Sequence, residues 1–147
     1  MSSDLTTTVA NVNAAIKARL IAVTGMSADT VRYGVFTQPP AAKAITFATS
    51  GTRIDERAGT LRSELFVTTY TIRMWAPTTE DTPEARDIAA LALWEAVRTS
   101  LYVDKTLGAT VRNVSVTDFM PPTAAGDIGE PANVASTVVA VSWQRSI

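Results

Sequence analysis

The chain has 147 residues, 46% of them hydrophobic and only 18% charged, with a formal net charge of −1 and no histidine or cysteine. This length predicts one domain over residues 1–147 with a core of its own. Without a basic excess the chain is a poor non-specific binder of nucleic acid, and without cysteine it forms no disulfide or thiolate zinc site. The start of the sequence is polar and acidic, unlike a signal peptide, and no uncharged run is long enough to span a membrane. We therefore expect a cytoplasm-like setting.

The first half of the chain predicts one helix and three strands. Apolar residues recur every three or four positions over Asp4–Thr24, which is typical of a helix. Short strand candidates follow at Val31–Phe36 and Ala44–Thr49, and the longest covers Leu61–Trp75. Between the last two, Ser50–Gly59 predicts a long loop or a hairpin tip bounded by glycines.

The long strand candidate is apolar on both of its faces. Phe66 and Ile72 share one parity, whereas Val67 and Trp75 lie on the other. A strand of this kind is covered on both sides or bends at a bulge. We expect the helices to cover one face and another subunit to cover the second.

A second helix is predicted from Thr82 to about Val103. Thr82 can cap its start, and Pro83 suits its first position. Its apolar residues extend over more than one side, which predicts burial on more than one side. Since its alanines let neighbouring backbones come close, we expect this helix to pack on the sheet and partly against a neighbouring subunit. The charged fraction of 18%, below the usual ~25%, also favours surfaces that a partner covers.

The last part of the chain predicts two further strands. Val111–Phe119 and Val134–Arg145 show apolar residues at alternating positions, and the intervening Met120–Asn133 is a loop rich in proline, glycine and alanine. The elements together predict an α+β fold, with a single, mostly antiparallel sheet of about four to five strands and two main helices packed on one face.

One tight cluster of charges could carry chemistry. It consists of Arg53, Asp55, Glu56 and Arg57. Its compensating signs favour a solvated loop tip or a polar docking patch over a carboxylate site. No hydroxyl has a histidine as its base, and no glycine pattern suits a phosphate. We therefore predict that the chain is not an enzyme and uses no metal or cofactor.

Three consecutive features near the C-terminus carry a family resemblance. They are the helical run Ala92–Leu101, the tight segment Asp104–Gly108, and the strand through Val114 and Val116. In this order they resemble the tail terminator proteins of long-tailed phages, also called tail-completion or minor tail proteins. The order of elements resembles that family over nearly the whole chain. One departure is Ala109, which follows Gly108 where a double glycine is common.

The resemblance implies a structural role in a virion. Members of the family form a six-fold ring that caps the completed tail tube, ends tube polymerisation and joins the tail to the head connector. The implied partners are further copies of the chain in a homo-hexamer, the major tail-tube protein, and a head–tail connector or stopper protein. DNA passes through the ring without sequence-specific binding, and no membrane or cofactor is involved. The implied location is the tail or neck of the virion, after assembly in the host cytoplasm.

Two groups of residues are candidate assembly sites. The second helix and the long strand predict a subunit interface, made of Ala89, Ala92, Trp94, Ala96, Leu101, Tyr70 and Trp75. The two loops, expected to be mobile until they dock, predict contacts with the tube or the connector. These docking candidates are Arg53, Asp55, Glu56, Arg57, Met120, Pro121, Pro122, Asp127 and Ile128. Ser50–Gly59 is the preferred segment for the tube side.

Two other functions remain open. One is another neck protein, such as a head-completion or stopper protein, which would differ only in its partner. The other is a small enzyme or ligand-binding domain that would use Asp55, Glu56 or Tyr70. Rings, or assembly on tubes, favour the terminator, whereas a compact monomer with a deep apolar pocket favours the ligand-binding domain.

Overall fold

A five-stranded sheet with two helices on one face forms the framework of the chain. The computed structural model describes residues 5–34, 42–54, 63–77, 82–122 and 134–146. The elements in chain order are α1 (Leu5–Ile21), β1 (Val31–Tyr33), β2 (Ala44–Ile54), β3 (Ser63–Trp75), α2 (Pro83–Tyr102), β4 (Asn113–Met120) and β5 (Val134–Ser146). The strand order is β1-β2-β3-β5-β4. β1 runs parallel to β2, and the other three pairings are antiparallel. This architecture confirms the predicted α+β class.

Both helices pack on the same face of the sheet. The Tyr70 hydroxyl in β3 donates a hydrogen bond to Asn13 Oδ1 in α1. On the same face, Trp94 Nε1 in α2 donates to Thr137 Oγ1 in β5 over 3.0 Å. The helices also meet each other, since Ser100 Oγ donates to the backbone carbonyl of Arg19 over 2.6 Å. The hydrophobic core therefore lies between this helical layer and one side of the sheet.

Local sequence signals explain where the helices begin and which sides they bury. The Thr82 hydroxyl accepts a hydrogen bond from the Ala85 N–H over 3.2 Å, and Pro83 occupies the first helical position of α2. The buried side chains of α2 recur at three- and four-residue spacing: Ala90, Leu93, Val97 and Leu101. Those of α1 recur every four residues: Val12, Ile16 and Leu20. Both predicted helices are confirmed, with bounds that differ by one to three residues.

The hairpin of β2 and β3 corrects one prediction. Ser50–Ile54, expected to begin a loop, continues β2 beyond a bulge between Thr49 and Gly51. These residues show little apolar periodicity, but they pair with β3, and the hydroxyls of Thr52 and Thr68 lie 2.9 Å apart. Strand pairing with a partner that is already ordered outweighs the weak local signal. Met120, expected at the start of a loop, is likewise the last residue of β4.

The strand registers put the two expected docking segments at opposite ends of the sheet. Ile54 pairs with Phe66, which pairs with Trp143 at the end of β5. Met120 pairs with Ser136, near the start of β5. The seven residue-to-residue steps from Ser136 to Trp143 correspond to roughly 23 Å at the usual rise of a strand. Residues 55–62 and 123–133 lie outside the described part of the chain. The strand ends next to 55–62, however, lie about that far from the strand ends next to 123–133.

Candidate assembly surfaces

The outward face of α2 exposes large apolar side chains. Ile88 is 59% exposed and Leu91 is 44% exposed, on the side of the helix opposite its buried residues. Glu84 and Glu95, both exposed, lie on the same side at helical spacing from this pair. We call these four residues the α2 stripe. Exposed apolar residues rimmed by charge are typical of a protein-binding surface.

Tyr70 and Leu101, two residues predicted for the subunit interface, lie inside the chain's own core. Both are 0% exposed. Burial raises the pKa of the Tyr70 hydroxyl, which is bonded to Asn13. In this conformation neither side chain reaches a neighbouring molecule, and Tyr70 is not open to a small ligand either.

The other interface candidates on α2 differ in accessibility. Ala89 and Ala96 are partly buried against the core, whereas Ala92 is exposed. Trp94 is partly buried, with its ring 5.1 Å from that of Phe119, and the Arg98 guanidinium lies 5.8 Å from its centroid. Of this group Ala92 is the most accessible residue next to the α2 stripe. The contribution of these residues to an interface stays a prediction.

Sequence reasoning did not select Ile88 and Leu91 as interface residues, although a signal was present. Both residues stand off the apolar arc of the helix, at four- and seven-residue spacing from Glu84 and Glu95. An apolar pair between carboxylates on the polar side of a helix is a useful sign of an exposed patch.

The face of the sheet away from the helices carries small side chains at its centre. We call this the open face. At its centre Thr71 pairs with Ala48 and Val138, and Thr69 pairs with Ala140. The open-face positions of β2, β3 and β5 include two arginines, Arg53 and Arg73, and no acidic residue. Asp118 lies beyond these strands, in the bulge of β4.

Trp75 lies at one end of the open face and is a further interface candidate. Its side chain is partly buried, and its Nε1 atom is buried without a hydrogen-bond partner. A buried N–H without an acceptor costs roughly 1–3 kcal/mol. Trp75 therefore brings an unsatisfied donor to this end of the sheet.

A shallow groove separates α1 from the C-terminal half of α2. It has a volume of about 580 Å³ and is open to solvent. Arg19, Ala22, Glu95, Ala96 and Thr99 are among its lining residues. The groove is wide and mixed in polarity, unlike the enclosed apolar pocket that a small ligand usually occupies.

The turn after α2 is held by one carboxylate. Asp104 Oδ1 accepts hydrogen bonds from the Thr106 N–H over 2.9 Å and the Thr106 hydroxyl over 2.6 Å, and Oδ2 accepts from the Gly108 N–H over 2.9 Å. These bonds, first of all the one from the Thr106 hydroxyl, lower the pKa of Asp104 to about 2. Leu107, Gly108 and Ala109 all have positive φ, at 48°, 69° and 65°. The segment that carries the family resemblance is thus a tight left-handed turn into β4.

Few of the predicted docking residues fall in the described part of the chain. Arg53 is exposed in β2, opposite Val67. Met120 is 61% exposed, and Pro121 is exposed next to it, whereas Pro122 is buried. The remaining docking candidates lie outside the described residues: Asp55, Glu56, Arg57, Asp127 and Ile128.

Two other kinds of site are absent from the described ranges. Within them, no three acidic or other potential ligand side chains come together as a metal site would require. No helix in the same ranges combines the length and the apolar character needed to cross a membrane.

A comparison of folds relates the chain to a tail component. The chain is similar over its whole length to a solved structure described as the sheath/tube terminator, in the extended state, of the extracellular contractile injection system PVC. The TM-score is 0.60 at 14% sequence identity, and the chain spans 58% of that protein's length. The two proteins therefore share a fold. No protein-family model matches the sequence, and no curated protein does.

Proposed function

We propose that this chain terminates a tail tube. The observation that carries the proposal is the similarity of the entire chain to a sheath/tube terminator, at a TM-score of 0.60. The tight turn at Asp104–Gly108, which carries the resemblance to phage tail terminators, adds independent support from the sequence. The protein acts by shape and contact and not by catalysis.

The proposed assembly is a ring of identical subunits, six in the phage family that the chain resembles. A ring needs a head-to-tail contact in which two different surfaces of the chain meet and the rotation closes. The α2 stripe and the open face are two such surfaces, because they lie on opposite sides of the molecule. A stable contact of this kind buries on the order of 1,200–2,000 Å².

The two ends of the sheet suit two different neighbours in the tail. One end carries the β2–β3 hairpin with Ile54, next to the predicted cluster Arg53–Arg57. The other carries Met120 and Pro121. We propose that the hairpin end meets the tube and that the Met120 end meets the connector or stopper protein. In this arrangement one side of the ring ends the tail tube, and the other side binds the connector or stopper protein.

The phage setting and the joint to a head belong to this proposal and rest on the family resemblance. The alternative of another neck protein differs in its neighbour on the tube side. It is distinguished by the partner that the purified ring binds.

The test is a tube-length assay. The major tail-tube protein of the same tail is polymerised with and without this chain, and tubes are measured by negative-stain electron microscopy. We expect shorter tubes that carry a ring at one end. Tubes of unchanged length and bare ends, at saturating concentrations of the chain, would overturn the proposal.

A further inference from the structure

We infer that the α2 stripe of one copy docks on the open face of the next copy, so that its carboxylates face Arg53 and Arg73. This inference rests on the proposed ring and names its contact. The occupant of the open face is therefore a second copy of this chain.

The α2 stripe and the open face carry opposite charges. The stripe carries Glu84 and Glu95 around the apolar pair, and the open-face positions of β2, β3 and β5 carry two arginines and no acidic residue. Opposite signs on two surfaces of the same chain favour a head-to-tail contact. They disfavour a face-to-face pair of sheets, in which arginine would meet arginine.

The distance between the two glutamates of the stripe is similar to the distance between the two arginines of the open face. Eleven residues separate Glu84 from Glu95, which corresponds to roughly 16 Å along a helix. Arg53 lies opposite Val67, six residues from Arg73 along β3, or roughly 20 Å. A helix laid nearly along β3 can therefore bring a carboxylate near each arginine.

The part of the open face between the two arginines is low enough for the apolar pair of the stripe to pack on it. The central open-face residues Thr69, Thr71, Val138 and Ala140 are small or β-branched and only partly buried. They form a low floor on which Ile88 and Leu91 can pack without displacing a larger side chain. Burying these two apolar side chains removes them from water and so favours the contact.

The helical layer and the open face also match in size. α1 and α2 have 17 and 20 residues, so the helical layer measures roughly 20 Å by 28 Å. The strand β3 alone is about 43 Å long for its 13 residues, and four strands are about 19 Å wide. The layer therefore fits the sheet face, and the two footprints sum to roughly 1,100 Å², close to the lower bound for a stable interface.

DNA is a weaker occupant of the open face than a second copy of the chain. Two arginines supply too little charge for a phosphate-binding surface. Arg53 stands at the border between this contact and the hairpin end, where the tube is proposed to bind.

The primary test mixes two charge-reversed variants. The helix variant carries Glu84→Arg and Glu95→Arg, and the sheet variant carries Arg53→Glu and Arg73→Glu. Each alone places like charges across the contact and should fail to assemble, as measured by sedimentation velocity. An equimolar mixture restores both attractions in an alternating ring, so assembly should return. A mixture that stays monomeric while each variant is folded by circular dichroism would overturn the inference.

A second test does not depend on the arginines. The chain has no cysteine. Leu91→Cys is combined in turn with Thr69→Cys, Thr71→Cys, Val138→Cys or Ala140→Cys and oxidised. At least one pair should give a ladder of disulfide-linked oligomers. The matched control, Leu91→Cys with Ile54→Cys, should give none, because Ile54 faces the helix side of the sheet and lies on neither surface. No ladder from any of the four pairs, or an equal ladder from the control, would overturn the inference.

The two proposals can fail separately. If the wild-type chain caps tubes but Ile88→Lys with Leu91→Lys caps them equally well, the contact is wrong and the terminator function stands. If the ladder forms but tubes are not capped, the contact stands and the function is wrong. A wild-type chain that is monomeric in solution and on tube ends at every concentration overturns the inference.

Discussion

Asp104 shows how one exposed side chain organises a turn of the backbone. Its carboxylate accepts three hydrogen bonds from Thr106 and Gly108 and thereby holds three successive residues in the left-handed region. Left-handed backbone is unfavourable for residues other than glycine, and here Leu107 and Ala109 adopt it. Leu107 also inserts its side chain into the core, so the turn joins a local bonding pattern to tertiary packing.

We expect Asp104→Asn to lower the melting temperature at pH 7, because the amide group replaces one acceptor by a donor that faces the Gly108 N–H. The pKa of Asp104 is lowered to about 2 from an ordinary value of 3.8. A depressed pKa means that the charged form stabilises the fold above pH ~3.8, and that this contribution is lost as the pH falls toward 2. Thermal unfolding of both proteins from pH 7 to pH 2 checks this.

The difference in melting temperature between wild type and variant should be constant near neutral pH and should become smaller below pH ~4. Asp29→Asn, at another exposed turn residue, is the matched control and should leave the profile nearly unchanged. Two parallel profiles for wild type and Asp104→Asn down to pH 2 would contradict the assignment.

At the scale of elements, a tyrosine hydroxyl caps the strand near each edge of the sheet. The Val116 N–H in β4 donates to the Tyr102 hydroxyl over 2.8 Å, and the Thr49 N–H in β2 donates to the Tyr33 hydroxyl over 3.2 Å. Cations hold Tyr102 in place, since Lys105 Nζ lies 4.5 Å and Arg98 Cζ 5.4 Å from the ring centroid. A capped N–H cannot pair with a strand of another molecule, so these tyrosines discourage edge-to-edge association.

We expect Tyr102→Phe to destabilise the chain by about 1–2 kcal/mol, because the Val116 N–H loses its acceptor in a partly buried position. Urea unfolding measures this loss, and light scattering on heating should show earlier aggregation. Tyr33→Phe is the matched control: its hydroxyl is exposed, so water can replace it and the loss should be smaller. Equal stability and equal aggregation of Tyr102→Phe and wild type would remove the edge-capping role.

At the scale of the whole molecule, the antiparallel register separates the hairpin end from the Met120 end. Two exposed apolar residues mark these ends: Ile54 at 54% and Met120 at 61% exposure. Since each is exposed, a charge at either position should leave the fold and the stability nearly unchanged.

We therefore expect Ile54→Asp to impair tube capping while the variant still forms rings, because it changes only the proposed tube side. Met120→Asp should cap tubes normally and fail to bind the connector or stopper protein. Tube length and co-sedimentation with that protein measure the two steps. Loss of both steps in either variant, or of the opposite step in each, would contradict the assignment of ends.

Local patterns in the sequence were sufficient to predict the helices, most strand positions and the fold class. The cap at Thr82, the apolar spacing of α1 and α2, and the alternation in β5 are local signals, and local backbone preferences read them without a partner. The same signals predicted that α2 and β3 are apolar on more than one side. The spacing also set Ile88 and Leu91 apart from the apolar arc that contains Leu101, but it could not say which sides of α2 other elements of the chain cover.

The candidate surfaces, in contrast, depend on contacts between elements that are distant in the sequence. Contact with the sheet buries Leu101 and leaves Leu91 and Ile88 exposed, and pairing with β3 extends β2 to Ile54 through residues with weak strand patterns. The placement of Ile54 and Met120 at opposite ends depends on registers between strands that are distant in sequence. Such pairings depend on the sum of many contacts across the sheet, and no short stretch of sequence contains that information.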